Sequence, residues 1–193
     1  AVARPSPYVI YGPPGTGKTV TLCEAVLQTL KANASFKVLV TAPSNSAADL
    51  IVQRMKDHVS PHELMRLIAY SRDRSSVPDE LMPYTCFDHG SYSFILPAAD
   101  ELRSFRIIVA TLSTAGKLPN VGLCDHFTHV FIDEAGHAIE PEASGAFATL
   151  AKTHEDCPPV IVLAGDPQQL GPIVRSEIAK KFGLDTSLLE RLV

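Results

Sequence analysis

Short apolar runs recur along the chain, separated by stretches in which apolar residues return at helical spacing. The runs are rich in β-branched and aliphatic residues and predict buried parallel strands at 8–11, 37–41, 106–110, 130–133 and 160–165. Helical spacing is clearest at 18–32 and 46–58. Strand and helix therefore alternate, which predicts an α/β fold with a parallel sheet flanked by helices. In such a fold, ligands bind at the carboxyl ends of the strands.

One segment, 70–104, breaks this alternation with polar residues and three prolines. We interpret it as a loop-rich surface excursion that contains a short helix near 98–103. The chain has 193 residues, a length that favours one domain. It stops in a helical pattern at 188–193 without a capping signal, as expected of a piece of a longer protein.

The chain is mildly acidic, with a formal net charge of −4. This balance argues against binding nucleic acid through a broad basic surface, so any polyanion would need directed contacts. No apolar run approaches the roughly 18 to 20 residues of a membrane span. Four cysteines without paired spacing favour reduced packing residues in an intracellular chain. These are Cys23, Cys86, Cys124 and Cys157.

The sharpest chemical signal lies between the first predicted strand and the first predicted helix. It is a glycine-rich loop ending in Lys-Thr, which matches the P-loop pattern in the context that this pattern requires. Glycines let backbone N–H groups face the phosphates of ATP, Lys18 reaches the β and γ phosphates, and Thr19 offers a hydroxyl to Mg²⁺. The alternative is an ordinary glycine-rich turn. The predicted nucleotide-binding residues are Gly12, Pro13, Pro14, Gly15, Thr16, Gly17, Lys18 and Thr19.

Two further loops follow predicted strands and carry polar groups. Asp133 is expected to hold Mg²⁺ with Thr19, and Glu134 to activate the attacking water as general base. Acidic pairs at strand ends also occur as solvated turns, but a P-loop in the same chain favours catalysis. Gln169, in the loop after the last predicted strand, is our candidate catalytic sensor of the γ-phosphate. A proline-stiffened turn with exposed amides explains that loop equally well.

These loops and two others together resemble motifs I, Ia, Ic, II and III of superfamily 1 helicases of the Upf-like group. Within that group, 127–137 and 163–176 are most similar to the Armitage and Mov-type RNA helicases of small-RNA silencing. The motif segments cover nearly the whole chain in the family's order. They are 12–19, 41–49, 110–116, 133–136 and 165–172.

The resemblance implies that residues 1–193 form a RecA-like P-loop NTPase domain, the first of two RecA-like lobes, with the second lobe absent. The complete motor would use ATP and Mg²⁺ to move 5′ to 3′ along single-stranded RNA. The family's adenine-reading glutamine and arginine fingers are not found here. Arg175, the one arginine near the third loop, fits a surface or lobe contact better than a finger. The isolated chain is therefore expected to be a nearly inactive ATPase.

The resemblance also implies an RNA site in two loops that precede helices. Their hydroxyls and backbone N–H groups would bind strand phosphates without adding formal charge. Ordinary helix capping explains these residues about as well. The expected RNA-binding residues are Pro43, Ser44, Asn45, Ser46, Thr111 and Ser113.

The expected partners are single-stranded RNA, the second RecA-like lobe of the same protein and, by resemblance, silencing proteins of the Argonaute or Piwi type. The expected location is the cytoplasm, in ribonucleoprotein granules. Two other functions stay open, namely an ATP-gated RNA clamp without productive unwinding and a DNA helicase of the same group. Intact Lys18, Thr19, Asp133 and Glu134 favour an enzyme, since a scaffold needs no water-activating carboxylate. Nothing in these residues reads a 2′-hydroxyl.

Three features depart from the family pattern or carry weaker signals. His137 stands where the family commonly has glutamine, so coupling of its loop to Gln169 is expected to be pH-sensitive. Arg72 and Arg74 are more typical of solvated loop charges than of RNA contacts. A cluster of four metal-ligand side chains lacks the paired spacing of a zinc site. Its members are Cys124, Asp125, His126 and His129.

Overall fold

The computed structural model describes residues 7–150 and 158–193. Its strands, in chain order, are β1 (Tyr8–Tyr11), β2 (Val38–Ala42), β3 (Leu64–Arg66), β4 (Phe87–Asp88), β5 (Ser93–Phe94), β6 (Ile107–Thr111), β7 (His129–Ile132) and β8 (Val160–Gly165). Six of them form one parallel sheet in the order β1-β8-β7-β2-β6-β3, and β4 pairs with β5 in a separate antiparallel hairpin. The predicted α/β fold is therefore confirmed.

Helices connect the strands and cover the sheet. They are α1 (Lys18–Ala32), α2 (Asn45–Met55), α3 (Ala99–Ser104), α4 (Leu112–Ala115), α5 (Glu140–Phe147), α6 (Glu177–Lys181) and α7 (Leu188–Leu192). Short 3₁₀ turns lie at Arg74–Ser76, Asp79–Tyr84, Leu118–Val121 and Ala135–His137. In the described part of the chain, no helix combines the length and the apolar character of a membrane span.

The sheet has a hydrophobic core on each face, which explains why its strands are apolar at nearly every position. Successive side chains of a strand point to opposite faces. Along β2, Val38 and Val40 join the core that contains α1 and α2, whereas Leu39 joins the core that contains α4, α5 and α7. Because all six strands run in the same direction, the loops after β1, β2, β6, β7 and β8 emerge at one edge of the sheet.

The segment 70–104 is rich in loops and is mostly exposed or half-buried, but a few of its side chains enter the core. Leu81 and Phe94 are fully buried in the core on the α1 and α2 face, and Tyr84 packs beside them. Their spacing follows neither a helical nor a strand period, because they lie on a 3₁₀ turn and a short hairpin. The short helix expected within this segment is confirmed as α3.

Several smaller elements differ from the sequence-based prediction. Strands β2, β6 and β7 lie within one residue of their predicted bounds, but β3 was missed because it has only three residues. Helix α5 was missed because small residues fill its core positions. Of the cysteines, Cys23 is buried as predicted, Cys124 is exposed, and Cys157 lies outside the described residues.

Candidate active site

A cavity of about 360 Å³ opens at the strand ends, above β1, β7 and β8. The P-loop, the acidic pair after β7 and the loop after β8 all contribute side chains to its wall, so the predicted convergence of these loops is confirmed. Among the predicted residues, the wall includes Pro14, Gly15, Gly17, Lys18, Thr19, Asp133, Glu134 and Gln169.

The P-loop has the backbone shape that its glycines allow. Gly15 and Gly17 have φ angles of 77° and 87°, in the left-handed region that side-chain-bearing residues avoid. Gly17 directly precedes α1, so the positive end of that helix faces the cavity. The Lys18 ammonium curls back on the loop and donates to the carbonyls of Gly12 (2.6 Å) and Pro13 (2.9 Å). Lys18 thus lies at the cavity with partners that anionic oxygens can replace.

Asp133 and Thr19 form the link between the acidic pair and the P-loop. The Thr19 hydroxyl donates to Oδ2 of Asp133 at 2.7 Å, and the backbone N–H of Glu134 donates to Oδ1 at 3.0 Å. Burial raises the pKa of Asp133, opposed by these two hydrogen bonds and by the positive charges of Lys18 and Arg54. A hydroxyl and a carboxylate oxygen at hydrogen-bond distance are a donor pair that suits Mg²⁺.

Glu134 is held in an unusual backbone conformation at the end of β7. Its φ of 52° and ψ of 37° are left-handed, which is uncommon for a residue with a side chain and is typical of functional sites. Its side chain is 46% exposed and reaches the cavity, unlike that of its buried neighbour Asp133. Nδ1 of His137 lies 3.9 Å from its carboxylate. Asp133 is therefore shielded from solvent, whereas the carboxylate of Glu134 is accessible to it.

The loop after β8 packs tightly against the loop after β7. A Cβ at Gly165 would lie 2.6 Å from Leu189 Cδ2 and 3.1 Å from the backbone nitrogen of Gly136, so a larger residue there would have to displace both neighbours. Beyond this contact, the Gln169 amide donates to Oδ2 of the buried Asp166 at 3.3 Å. Gln169 and His137 are thus each beside a different carboxylate, and both line the cavity.

Arg54 also lines the cavity, and sequence reasoning missed it. It lies near the end of α2, about three turns after the cap Ser44. Arg175 is exposed and is not part of the cavity wall, which agrees with the expected surface position, and Arg54 is the arginine that lines the cavity. Helical periodicity placed Arg54 beside apolar residues, and only the packing of α2 against α1 reveals that its charge acts on Asp133.

The two loops proposed for RNA follow the adjacent strands β2 and β6, whose ends pair at Ala42 and Thr111. Ser44 caps α2, because its hydroxyl accepts the backbone N–H of Ala47 at 3.1 Å. The Thr111 hydroxyl donates to that of Thr114 at 2.9 Å, and Ser113 is exposed. Capping is therefore present at Ser44, and it leaves the other polar groups of the loop at the surface.

A second groove, of about 480 Å³, adjoins the cavity and shares Glu134 and His137 with it. Pro43 and Ser44 line it together with the exposed Leu170 and Ile173. The groove thus connects the predicted catalytic carboxylate with one of the predicted RNA loops. The remaining predicted RNA residues, Asn45, Ser46, Thr111 and Ser113, lie at the same edge of the sheet.

The structure also bears on the candidate metal cluster around His129 and on the basic pair Arg72 and Arg74. Within residues 7–150 and 158–193, no group of three or more metal-ligand side chains is placed to hold an ion. The His129 ring instead stacks with Phe131 and lies tilted against Phe36. The prediction that Arg72 and Arg74 are solvated is wrong. Their side chains are only 10% and 22% exposed, because both form ion pairs within the protein.

Comparisons with known proteins agree with this architecture. The family model described as an AAA domain matches residues 1–90 and 92–177. A Gallus gallus protein named as a MOV-10 helicase is 46% identical over 100% of this chain and 20% of its own length. The RNA helicase Mov10l1 of Mus musculus is 44% identical over 98% of this chain and 15% of its own length.

A similar fold occurs in a solved structure. The UvsW helicase of bacteriophage T4 superposes with a TM-score of 0.54 at 15% identity, over 82% of this chain and 46% of that one. This likeness confirms the RecA-like fold. The chain spans about a fifth or less of the length of the curated relatives named above.

Proposed function

This chain belongs to the AAA domain family of Upf-like helicases, and we propose that it is the ATP-binding motor lobe of an ATP-dependent RNA helicase. The proposal includes the domain assignment, in which residues 1–193 form the first RecA-like lobe and a second lobe completes the motor. Helicases of this family use a nucleotide, and we propose that the nucleotide is ATP with Mg²⁺.

One observation carries this proposal. Lys18, Thr19, Asp133, Glu134 and Gln169 come from three loops that lie far apart in the sequence, and they share the wall of one cavity. A glycine-rich turn, a solvated acidic pair and a stiff amide-bearing loop would each be ordinary alone. Their convergence at the N-terminus of α1 favours phosphate chemistry.

The residues present fit a magnesium–nucleotide complex and suggest a division of work. Mg²⁺–ATP, when bound, supplies the phosphoryl group to be transferred and neutralises part of its charge. Asp133 and Thr19 are the proposed metal-binding pair, and Lys18 exchanges its carbonyl partners for phosphate oxygens. Glu134, which is exposed to the cavity, orients a water and accepts its proton. Gln169 senses the γ-phosphate from the neighbouring loop.

We propose that the strand substrate is single-stranded RNA, bound across the loops that begin with Pro43 and Thr111, and that movement is 5′ to 3′. The names of the relatives as RNA helicases support this assignment. So does the groove between Ser44 and Ile173, which leads to Glu134. From the motif resemblance to the Armitage and Mov-type helicases, we propose a role in RNA silencing or turnover, with Argonaute or Piwi-type partners, in the cytoplasm.

The test uses the full-length protein and compares phosphate release with single-stranded RNA, with DNA of the same sequence, and with neither. We expect stimulation by RNA, displacement of a paired strand in the 5′-to-3′ direction, and loss of both in a Lys18→Ala variant. Nucleotide-dependent RNA binding without turnover would instead support the clamp, and stimulation by DNA alone would support the DNA helicase.

The same assay tests the domain assignment when the 193-residue chain is compared with the full-length protein. Arginine fingers elsewhere contribute on the order of 10³ to 10⁵ in rate, so the isolated chain should be nearly inactive with or without RNA. Comparable turnover in both would mean that the catalytic set is complete within these residues.

A further inference from the structure

A cluster of polar and charged side chains lies at the start of α2 and consists of the buried Asp49 and Arg66, the half-buried Arg72 and the exposed Asn45. We call it the Asp49 cluster. Asp49 is on α2, Arg66 ends β3, and Arg72 belongs to the segment that follows β3. The side chains of Asp49 and Arg66 are 9% and 0% exposed, and that of Arg72 is 10% exposed. None of the residues predicted for catalysis takes part in it.

Both arginines bind the same two acceptors. Arg66 donates from Nε to Oδ1 of Asp49 and from Nη2 to the side-chain oxygen of Asn45, each at 2.9 Å. Arg72 binds Asp49 with both terminal nitrogens, at 3.0 and 2.6 Å, and also reaches the Asn45 oxygen at 3.3 Å. Paired, charge-assisted hydrogen bonds of this kind constrain the relative positions of the side chains as well as stabilising them.

The donors of Arg72 are fully engaged inside the protein. In addition to Asp49 and Asn45, its guanidinium donates to the hydroxyl of Ser76 at 3.1 Å and to the carbonyl of Ser76 at 3.0 Å. A guanidinium has five N–H donors, and these five bonds occupy them. Arg72 therefore has no donor to spare for a strand phosphate unless this arrangement breaks.

The cluster ends at the loop proposed to bind RNA. Asn45 is the first residue of α2 and directly follows the cap Ser44, whose hydroxyl also lies 3.1 Å from that of Ser46. The first backbone N–H groups of a helix lack partners within the helix, so their direction depends on how the first turn is held. We propose that Arg72 and Arg66, acting through Asp49 and Asn45, are positioning residues that hold the Ser44–Ser46 turn in its RNA-binding shape.

This inference rests on the proposed RNA function, and it gives the segment after β3 a part in shaping the RNA loop. Its test measures the affinity of the full-length protein, without nucleotide, for a labelled oligouridylate over a series of salt concentrations. Arg72→Ala and Arg72→Lys should each weaken binding about tenfold, the scale of one charge-assisted hydrogen bond. Lysine keeps the charge but cannot bind Asp49, Asn45 and Ser76 together.

Salt dependence separates positioning from direct contact. A positioning residue leaves the number of phosphate contacts made by cations unchanged, so the salt slope of both variants should equal that of the parent. Arg74→Ala is the matched control, because Arg74 lies two residues away and pairs with Asp79 and the Val77 carbonyl instead. It should leave RNA affinity unchanged. Nucleotide affinity should be unchanged in all three variants.

Four outcomes would overturn the inference. The first is normal RNA affinity in Arg72→Lys together with a shallower salt slope in Arg72→Ala, and the second is an equal loss of RNA affinity in the Arg74→Ala control. The third is a parallel loss of nucleotide affinity in the Arg72 variants. The fourth is that Arg72→Lys and Asn45→Ala have additive effects on RNA affinity. Residues that act through one another should instead give a double variant no weaker than the weaker single one. If Ser44→Ala and Asn45→Ala themselves leave RNA affinity unchanged, the RNA assignment of this loop fails, and the inference fails with it.

Discussion

The nucleotide side and the proposed RNA side of the strand-end surface are built differently. The P-loop obtains its shape from consecutive residues, with Gly15 and Gly17 in left-handed conformations and Lys18 bonded to carbonyls of the same loop. The Ser44–Ser46 turn has a local cap at Ser44, but it is also held by charged groups from outside the turn, on α2, β3 and the segment beyond. The shape of the P-loop therefore depends on local backbone geometry, whereas that of the Ser44–Ser46 turn depends on side chains that are distant in the sequence.

This difference has a physical reason. Groups that bind phosphates must give up their own partners, and Lys18 can leave the exposed carbonyl of Pro13 at little cost because water competes for the same bond. A turn that must keep one shape gains from buried, bidentate pairs, since breaking one leaves an uncompensated charge. Substitutions on the two sides should therefore have separable effects, the largest of them at Glu134.

Removing the water-activating group should affect turnover and neither binding site. In the full-length protein, Glu134→Gln should lower RNA-stimulated phosphate release by about 10²- to 10⁴-fold, because an amide holds water but accepts its proton poorly. Nucleotide and RNA affinities should stay close to those of the parent. Glu142→Gln is the control, since Glu142 borders the adjoining groove without lining the cavity. Turnover near the parent rate in Glu134→Gln would remove Glu134 from the proposed role.

Removing the P-loop ammonium should disable the nucleotide side alone. Lys18→Ala should lower affinity for Mg²⁺–ATP about 100-fold, as expected when two charge-assisted contacts are lost. RNA affinity without nucleotide should not change, because the Asp49 cluster does not include Lys18. Calorimetry and RNA titration on the same preparations check both statements, with Lys31→Ala at the other end of α1 as control. Unchanged nucleotide affinity would contradict the phosphate assignment.

The same contrast explains which features the sequence could predict. The P-loop, Asp133 and Glu134 were predictable, because a short motif directly follows an apolar strand and parallel strands share one carboxyl edge. Strand β3 and the buried Leu81 were not, since three residues and a 3₁₀ turn leave no periodic pattern. The inward direction of Arg72 depends on Asp49, 23 positions earlier, and no local pattern marks such a pair.

Arg54 is an exception to this contrast, because it is a charged residue of α2 that lines the nucleotide cavity. If it faces the phosphates, Arg54→Ala should weaken binding of ATP about threefold to tenfold, with a smaller loss for ADP and none for adenosine. Lys56→Ala, two positions on and paired with Glu80, serves as control. An equal loss for all three ligands would show that Arg54 acts only by supporting the fold.

The smallest expected effect is on the thermal stability of the protein when Asp133, the proposed metal ligand, is replaced. Burial raises the pKa of Asp133 in the folded chain above its unfolded value, so the ionised carboxylate costs stability at neutral pH. Asp133→Asn should therefore raise the melting temperature of the nucleotide-free protein at pH 7, on the order of 2 °C.

The sign of this effect fixes its pH dependence. Below the unfolded pKa of an aspartate, about 4, the folded and unfolded parent chains both carry a protonated carboxyl, so the advantage of the amide in Asp133→Asn should vanish. The same substitution should abolish stabilisation by Mg²⁺–nucleotide, because an amide is a poorer ligand for Mg²⁺ than a carboxylate. Thermal melts of the parent and of Asp133→Asn at pH 7 and below about pH 4 check the pH dependence. Melts at pH 7 with and without Mg²⁺–nucleotide check the loss of stabilisation by the ligand. A variant that melts several degrees below the parent at pH 7 would mean that Thr19, Lys18 and Arg54 already compensate the buried charge, and that the site needs no cation to balance it.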